Sequence, residues 1–258
     1  MLRELCAMTG AWIIGFCQVT GRMMMLFLDT LSKVRTVSIK ETLRQMALLG
    51  ADSLPIVLLT MLCTGMVFSV QTAKEFVALG ASGTVGGIVA IAMGRELVPV
   101  LTGVVVAGRI GAAIAAELGT MKVTEQIDAL RVMATSPVRY LVAPRFLAVS
   151  LMMPVLIVFG NFIGNAGGYF VAHYYADIGS MTYLNSIRQL CEPFDLFGGM
   201  IKGVAFGAII SIVGCFKGLN AKQGAEGVGL ATTASVVLSI ILIFISDYFL
   251  TVLLYVDK

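Results

Sequence analysis

Five stretches of this sequence are too long and too apolar to be buried in a small soluble domain. They run at about 53–70, 84–108, 146–171, 196–216 and 230–256. Each reaches the ~17–25 residues that cross the hydrocarbon core of a bilayer. Lipid leaves no partner for an open strand edge, so such stretches cross as helices. Composition agrees: 13% of the 258 residues are charged, against ~25% in soluble domains. The expected fold is an all-α integral membrane protein built as one unit over 1–258, since no polar linker divides the chain. A net charge of +3 is too small to imply nucleic acid. Cys6, Cys17, Cys63, Cys191 and Cys215 are odd in number and scattered, so neither a disulfide framework nor a metal site is expected.

Residues 1–52 precede the first span. The stretch 11–28 is apolar, but Gln18, Thr20, Gly21 and Arg22 interrupt it. A central Arg costs ~2.5–3.5 kcal/mol on insertion scales, so an interfacial helix is favoured over a sixth span. Arg3 is offset by Glu4 and no small-residue cleavage site follows, which argues against a signal peptide. Ser38 and Glu41 have capping-box spacing for a second helix, with Ile39, Leu43, Met46 and Ala47 as its apolar face.

The connecting segments carry an uneven charge. Six basic residues (Arg3, Arg22, Lys33, Arg35, Lys40, Arg44) precede the first span, and five (Arg109, Lys122, Arg131, Arg139, Arg145) lie between the second and third. Lys217 and Lys222 join them in the last loop, leaving Lys74, Arg188 and Lys258 on the other side. The positive-inside rule then puts the N-terminus in the cytoplasm and the C-terminus outside. Small residues recur four apart at Gly160/Gly164/Gly168, Gly199/Gly203/Gly207/Ser211 and Ala107/Gly111/Ala115. Such stripes let helix backbones approach, within one subunit or across a homodimer seam.

Enzyme signatures are absent. No lysine follows a glycine, which excludes the phosphate-loop motif, and the single histidine, His173, excludes a HExxH zinc site. His173 lies among Tyr169, Tyr174 and Tyr175, as an interfacial aromatic cluster does; a proton relay is the weaker reading. Charges inside spans are expensive and mark function or fixed helix register. Arg95 and Glu96 fall ~16 Å into the second span at 1.5 Å per residue, with Arg95 the only cation near mid-span. Adjacent positions point apart, so the two need not pair. Lys202 and Asp247 fall roughly 9–14 Å below the outer surface on the fourth and fifth spans. They can form an ion pair between spans or line a polar path for a headgroup.

One segment between the second and third spans is too polar for lipid. Val123, Ile127, Leu130 and Ala134 share a face over about 124–133, while Glu125, Gln126, Asp128 and Arg131 fall mostly elsewhere. Thr120 or Thr124 can cap it and Ser136-Pro137 stops it. It reads as a short cytoplasmic helix, either lying on the interface or docking a soluble partner.

Three runs, RELVPV, AGRIGAAIAAELGTMKVTEQIDAL and SPVRYLVAPR, resemble the MlaE/YrbE family of permease subunits of bacterial and plastid lipid ABC transporters. The likeness covers most of the chain after Ser38, including Ile201–Gly203 and Asp247. It implies five spans behind an N-terminal interfacial helix, working as a homodimer in the inner membrane. Two cytoplasmic ATPase subunits, a periplasmic MCE-domain ring and often a STAS-domain protein would be partners, and phospholipids the substrate. By the same resemblance, about 120–135 is a coupling helix with Glu125, Gln126, Asp128 and Arg131 facing the ATPase, and Arg95, Glu96 and Lys202 belong to the lipid cavity. Val98 stands where the family often has glycine, and a larger side chain there would narrow that cavity. No cofactor is implied. An ion-coupled carrier titrating Glu96 or Asp247 is a competing class, though five spans do not divide into inverted halves. A non-transporting scaffold is another.

Overall fold

The computed structural model describes residues 2–256, with Met1, Asp257 and Lys258 outside it. The described residues form eight helices and no strand: α1 (Leu2–Lys33), α2 (Ile39–Ala78), α3 (Ser82–Val123), α4 (Gln126–Val132), α5 (Val138–Tyr174), α6 (Ser180–Leu190), α7 (Pro193–Leu219) and α8 (Gly224–Tyr255). Helices α2, α3, α5, α7 and α8 are the five long and apolar enough to cross a membrane. Most outrun the apolar stretches seen in the sequence; α2 begins at Ile39 and α5 at Val138. Hydropathy registers only the part that lipid selects. The helix itself goes on while each residue can close a backbone hydrogen bond.

Helix α1 is not among those five. Gln18, Thr20, Gly21 and Arg22 sit within it and are all exposed. Met23, Leu26, Phe27 and Thr30, at helical spacing, turn inward, and Phe27 meets Phe146 of α5 edge-on at 5.9 Å. The expected capping box is not formed. Ser38 holds the N-cap position, but its side chain caps nothing, and Glu41 instead accepts from Gln45 Nε2 at 3.1 Å. The apolar face is also reversed: Ile39 and Leu43 are exposed, and Thr42 and Gln45 are buried. This turn is continuous with α2, so packing farther along sets its rotation and its apolar side chains face outward. Cys17, Cys63, Cys191 and Cys215 are free thiols.

All three small-residue stripes are used inside the subunit. A Cβ on Gly65 of α2 would collide with the backbone carbonyl of Gly164 on α5, so these helices touch main chain to main chain. Gly160 seats against Met61 and Val98, and Gly168 against Val89. On α7, Gly199 faces the Gly94 carbonyl and Gly207 faces Ser150. Gly111 of α3 accepts a bond from Ser235 Oγ of α8 at 3.2 Å. Van der Waals contact is the main attraction between helices in lipid, and it requires such close approach. Val98 is fully buried in the α3–α5 seam, so it does not narrow a cavity.

The basic segments converge at one end. Lys33 Nζ reaches Ser136 at 3.1 Å, Arg139 Nε reaches the Thr36 carbonyl at 3.1 Å, and Gly119 abuts Ala221. At the other end α6 packs along the start of α3, where Gly87 N donates to Ser186 Oγ at 2.9 Å.

The α2–α5 contact gives a direct expectation. Gly164→Leu should lower thermal stability in detergent by ~1–3 kcal/mol, as overpacking does. Gly229→Leu, at an exposed position with open space around it, should change it little. Equal melting of the two variants would refute the close-approach account.

Candidate functional site

The chain around Arg95 is built by two local rules. Met93–Leu97 is a π-helical turn within α3, a widening that recurs at functional sites. Pro99 follows, and a proline has no N–H to offer the carbonyl one turn back. The Arg95 carbonyl takes a different donor: Lys202 Nζ of α7, at 2.9 Å.

Lys202 is fully buried, side chain included. Its ammonium has three protons and three acceptors: the Arg95 carbonyl, Glu96 Oε2 at 2.8 Å and Thr251 Oγ1 at 2.7 Å. Asp247 Oδ1 lies 2.9 Å from Nζ as a fourth, ion-paired neighbour. The Thr251 hydroxyl is 3.0 Å from Glu96 Oε1 and 2.8 Å from the Asp247 carbonyl, one of which takes its proton. Helices α3, α7 and α8 are thereby tied at one level. Sequence reading makes Arg95 the only cation near mid-span; the structure instead puts the Lys202 ammonium against its carbonyl.

Arg95 has a separate partner. Its Nε donates to Asp195 Oδ1 at 2.7 Å, and the Asp195 side chain is only 1% exposed. Asp195 is aimed by the start of α7, a capping box in which its Oδ2 accepts from Glu192 N at 2.9 Å with Pro193 in the first turn. The Tyr255 ring lies under the guanidinium, 4.8 Å from its centroid to Cζ. Among the described residues the terminal guanidinium nitrogens have no hydrogen-bond partner, and the side chain is 31% exposed. Glu96 is 40% exposed. The cluster is therefore buried on one side and open on the other. A hollow of about 340 Å³ lies against Leu97, lined by Cys63, Thr64, Val67 and Gln71 of α2. Two cations meet three carboxylates, a formal charge of −1. Asp195 and Tyr255 were not found from sequence. The EPFD capping pattern was the available signal for the first, and a C-terminal Tyr reads only as an interfacial aromatic.

The polar segment is a separate feature. Helix α4 is shorter than the pattern suggests, and its N-cap is Glu125 in a left-handed conformation (φ 60°) rather than Thr120 or Thr124. Thr124 instead donates to the Thr120 carbonyl. The chain is already turned by Ala134 (φ 55°), before Ser136-Pro137. Ile127 is buried and anchors the turn; Glu125, Gln126 and Arg131 are exposed, as are Val132 and Met133. Asp128 bonds Lys122 and Arg131, each at 2.9 Å. The Lys122 hydrogen bond leads in holding its carboxyl below the usual range. A depressed pKa contributes order above the unfolded value and loses it only as pH falls through the folded one, so this turn is ionised and intact at neutral pH. His173 stacks on Tyr169 and places Nδ1 3.3 Å from the Ile178 carbonyl, with no acidic side chain among the described residues paired to it. No cluster among the described residues could hold a metal ion.

A family model described as "Permease MlaE" matches residues 42–253. A probable ABC transporter permease protein of Synechocystis is 46% identical over 216 residues, 84% of this chain and 82% of that protein. A probable ABC transporter permease protein of Rickettsia prowazekii is 41% identical over 257 residues, 99% of each. The chloroplastic protein trigalactosyldiacylglycerol 1 of Arabidopsis thaliana is 42% identical over 212 residues, 82% of this chain and 61% of that protein.

The buried ammonium predicts its own energetics. Lys202→Met strands carboxylates in a low-dielectric site and should cost ~3–5 kcal/mol in thermal unfolding. Adding Asp247→Leu should recover part of it, since Glu96 can turn to water. Additive losses in the double-mutant cycle would contradict coupling through this pair.

Proposed function

The chain belongs to the MlaE permease family, and we propose that it moves phospholipids between the inner and outer membranes as the transmembrane subunit of an ABC transporter. Membership of the permease family implies a transported substrate and an ATPase partner. The lipid reading rests on one observation. Where the first turn of α7 meets the last turn of α8, Asp195 and Tyr255 hold Arg95 by Nε and by its face, and among the described residues its two terminal nitrogens have no partner. A guanidinium fork matches phosphate oxygens bidentately, where an ammonium acts as a point charge. The Arabidopsis relative is named for a diacyl lipid with a galactosyl headgroup, which supports a lipid substrate but not the phosphate itself.

In this account Arg95 binds the phosphate, and exposed Glu96 faces the rest of the headgroup. Lys202 and Asp247 hold the turn that carries both. The N-terminus is cytoplasmic and the C-terminus periplasmic, because the end where Lys33, Arg139 and Lys217 gather is the positive one. Helix α4 lies at that end and docks the ATPase through Glu125, Gln126 and Arg131, with Asp128 bracing it. A homodimer places two such sites side by side. A periplasmic MCE-domain ring would receive the lipid, and a STAS-domain protein would attend the ATPase.

The test is lipid transfer from proteoliposomes holding the permease with its ATPase. Transfer should need ATP, and Arg95→Ala should lower it at least tenfold, the scale of one lost charged hydrogen bond, without lowering expression. Arg95→Lys should restore only part. Glu125→Arg should reduce ATPase recovery while the permease stays inserted. Transfer driven by an ion gradient without ATP, or full transfer by Arg95→Ala, would overturn the proposal.

A further inference from the structure

Behind the Arg95–Asp195 pair lies a second cavity, of about 520 Å³, between α5, α6 and the facing turns of α3 and α7. That volume is in the range of small-molecule sites. Its wall is almost wholly apolar, and Phe162, Leu184 and Leu196, which line it, are large apolar side chains left exposed. Three residues that line it break the pattern. Asn161 Nδ2, Asn165 Oδ1 and Tyr183 Oη are buried polar atoms with no hydrogen-bond partner. Asn161 is 6% exposed and Tyr183 only 1%.

An unpartnered buried polar group carries its full desolvation penalty, and native proteins rarely keep one. Asn165 Oδ1 is an acceptor, but the Asn161 amide and the Tyr183 hydroxyl are two donors around one cavity and call for a ligand. The ligand must be mainly hydrocarbon to suit the wall and must bring oxygen acceptors for an amide N–H and a phenol O–H. Burial pushes the Tyr183 hydroxyl up to about 12, so it keeps its proton and stays a donor at physiological pH. Ser, Thr or backbone groups near by do not serve these atoms. Water would satisfy the donors but would leave the apolar wall wet.

We infer that this cavity is a lateral binding site for an ester-linked membrane lipid, with Asn161 and Tyr183 donating to its ester carbonyls and acyl chain filling the apolar wall. The site is separate from the Arg95 headgroup site, divided from it by Gly94 and Asp195, and it does not depend on the transport reading. Its place suits a lipid that enters from the bilayer beside α5 and α6. Along α5, Asn161 and Tyr169 are eight steps apart, about 12 Å at 1.5 Å per residue, which is long enough for a stretch of acyl chain.

The experiment compares a diacyl phospholipid with its dialkyl ether analogue, which has the same chains and headgroup and no carbonyl. Permease complex in nanodiscs of each lipid is extracted into detergent, and retained lipid is counted by mass spectrometry. Wild type should keep the ester lipid roughly tenfold better than the ether lipid, the factor that two ordinary hydrogen bonds supply. Asn161→Leu with Tyr183→Phe should abolish that preference. Ala166→Trp, at an exposed lining position, should expel lipid of both kinds from the cavity. Arg95→Lys, which keeps a cation beside Asp195 in the cavity wall, should leave the ester preference intact even where transfer falls, which separates this site from the transport site. Equal retention of ester and ether lipid by wild type would overturn the inference, and so would an ester preference that survives in the double variant.

Discussion

The buried ammonium of Lys202 is the interaction on which the rest of this structure depends. It has no water to fall back on, so each of its protons needs an acceptor inside the protein. It finds them on α3 and α8: a carbonyl released by Pro99, the Glu96 carboxylate and the Thr251 hydroxyl. One side chain thus fixes the register of three spanning helices. In lipid, where hydrocarbon gains nothing by leaving one apolar surface for another, such polar ties specify which packing is native.

Arg95 is held differently, and the proposed function rests on the contrast. Lys202 spends every donor internally, whereas Arg95 spends one nitrogen on Asp195 and rests its face on Tyr255. Asp195 in turn is oriented by the first turn of α7. The result is a rigid wall with a guanidinium fork on its open side. Charged side chains on apolar helices are costly, and under the proposed function this one is kept for a substrate that brings the opposite charge.

The five spans and the polar segment between the second and third were legible because hydropathy and charge placement are written locally. That Lys202 and Asp247 share a level was also readable, since helical rise converts residue count to distance, and the two meet at 2.9 Å. What escaped was rotation and partnership. Thr42 and Gln45 turn inward and Ile39 outward because a distant seam at Gly65 and Gly164 sets the rotation of the whole helix. Val98 looked as if it lined a cavity, yet it fills the seam opposite Gly160. Asp195 stands a hundred residues from Arg95 in the chain, and no periodicity records that pairing. The cap of α4 failed for a local reason: a left-handed Glu125 starts the helix later than either threonine allows.

The central claim is that Arg95 presents its free nitrogens to a lipid phosphate. An electron-microscopy reconstruction of the ATPase-bound permease in phospholipid nanodiscs tests it most directly. The account predicts a headgroup phosphate with an oxygen about 2.8 Å from a terminal nitrogen of Arg95, the spacing of a charge-assisted hydrogen bond, while Nε stays on Asp195. A bound lipid whose phosphate lies away from Arg95, or an Arg95 whose terminal nitrogens have turned to protein carboxylates, would contradict it.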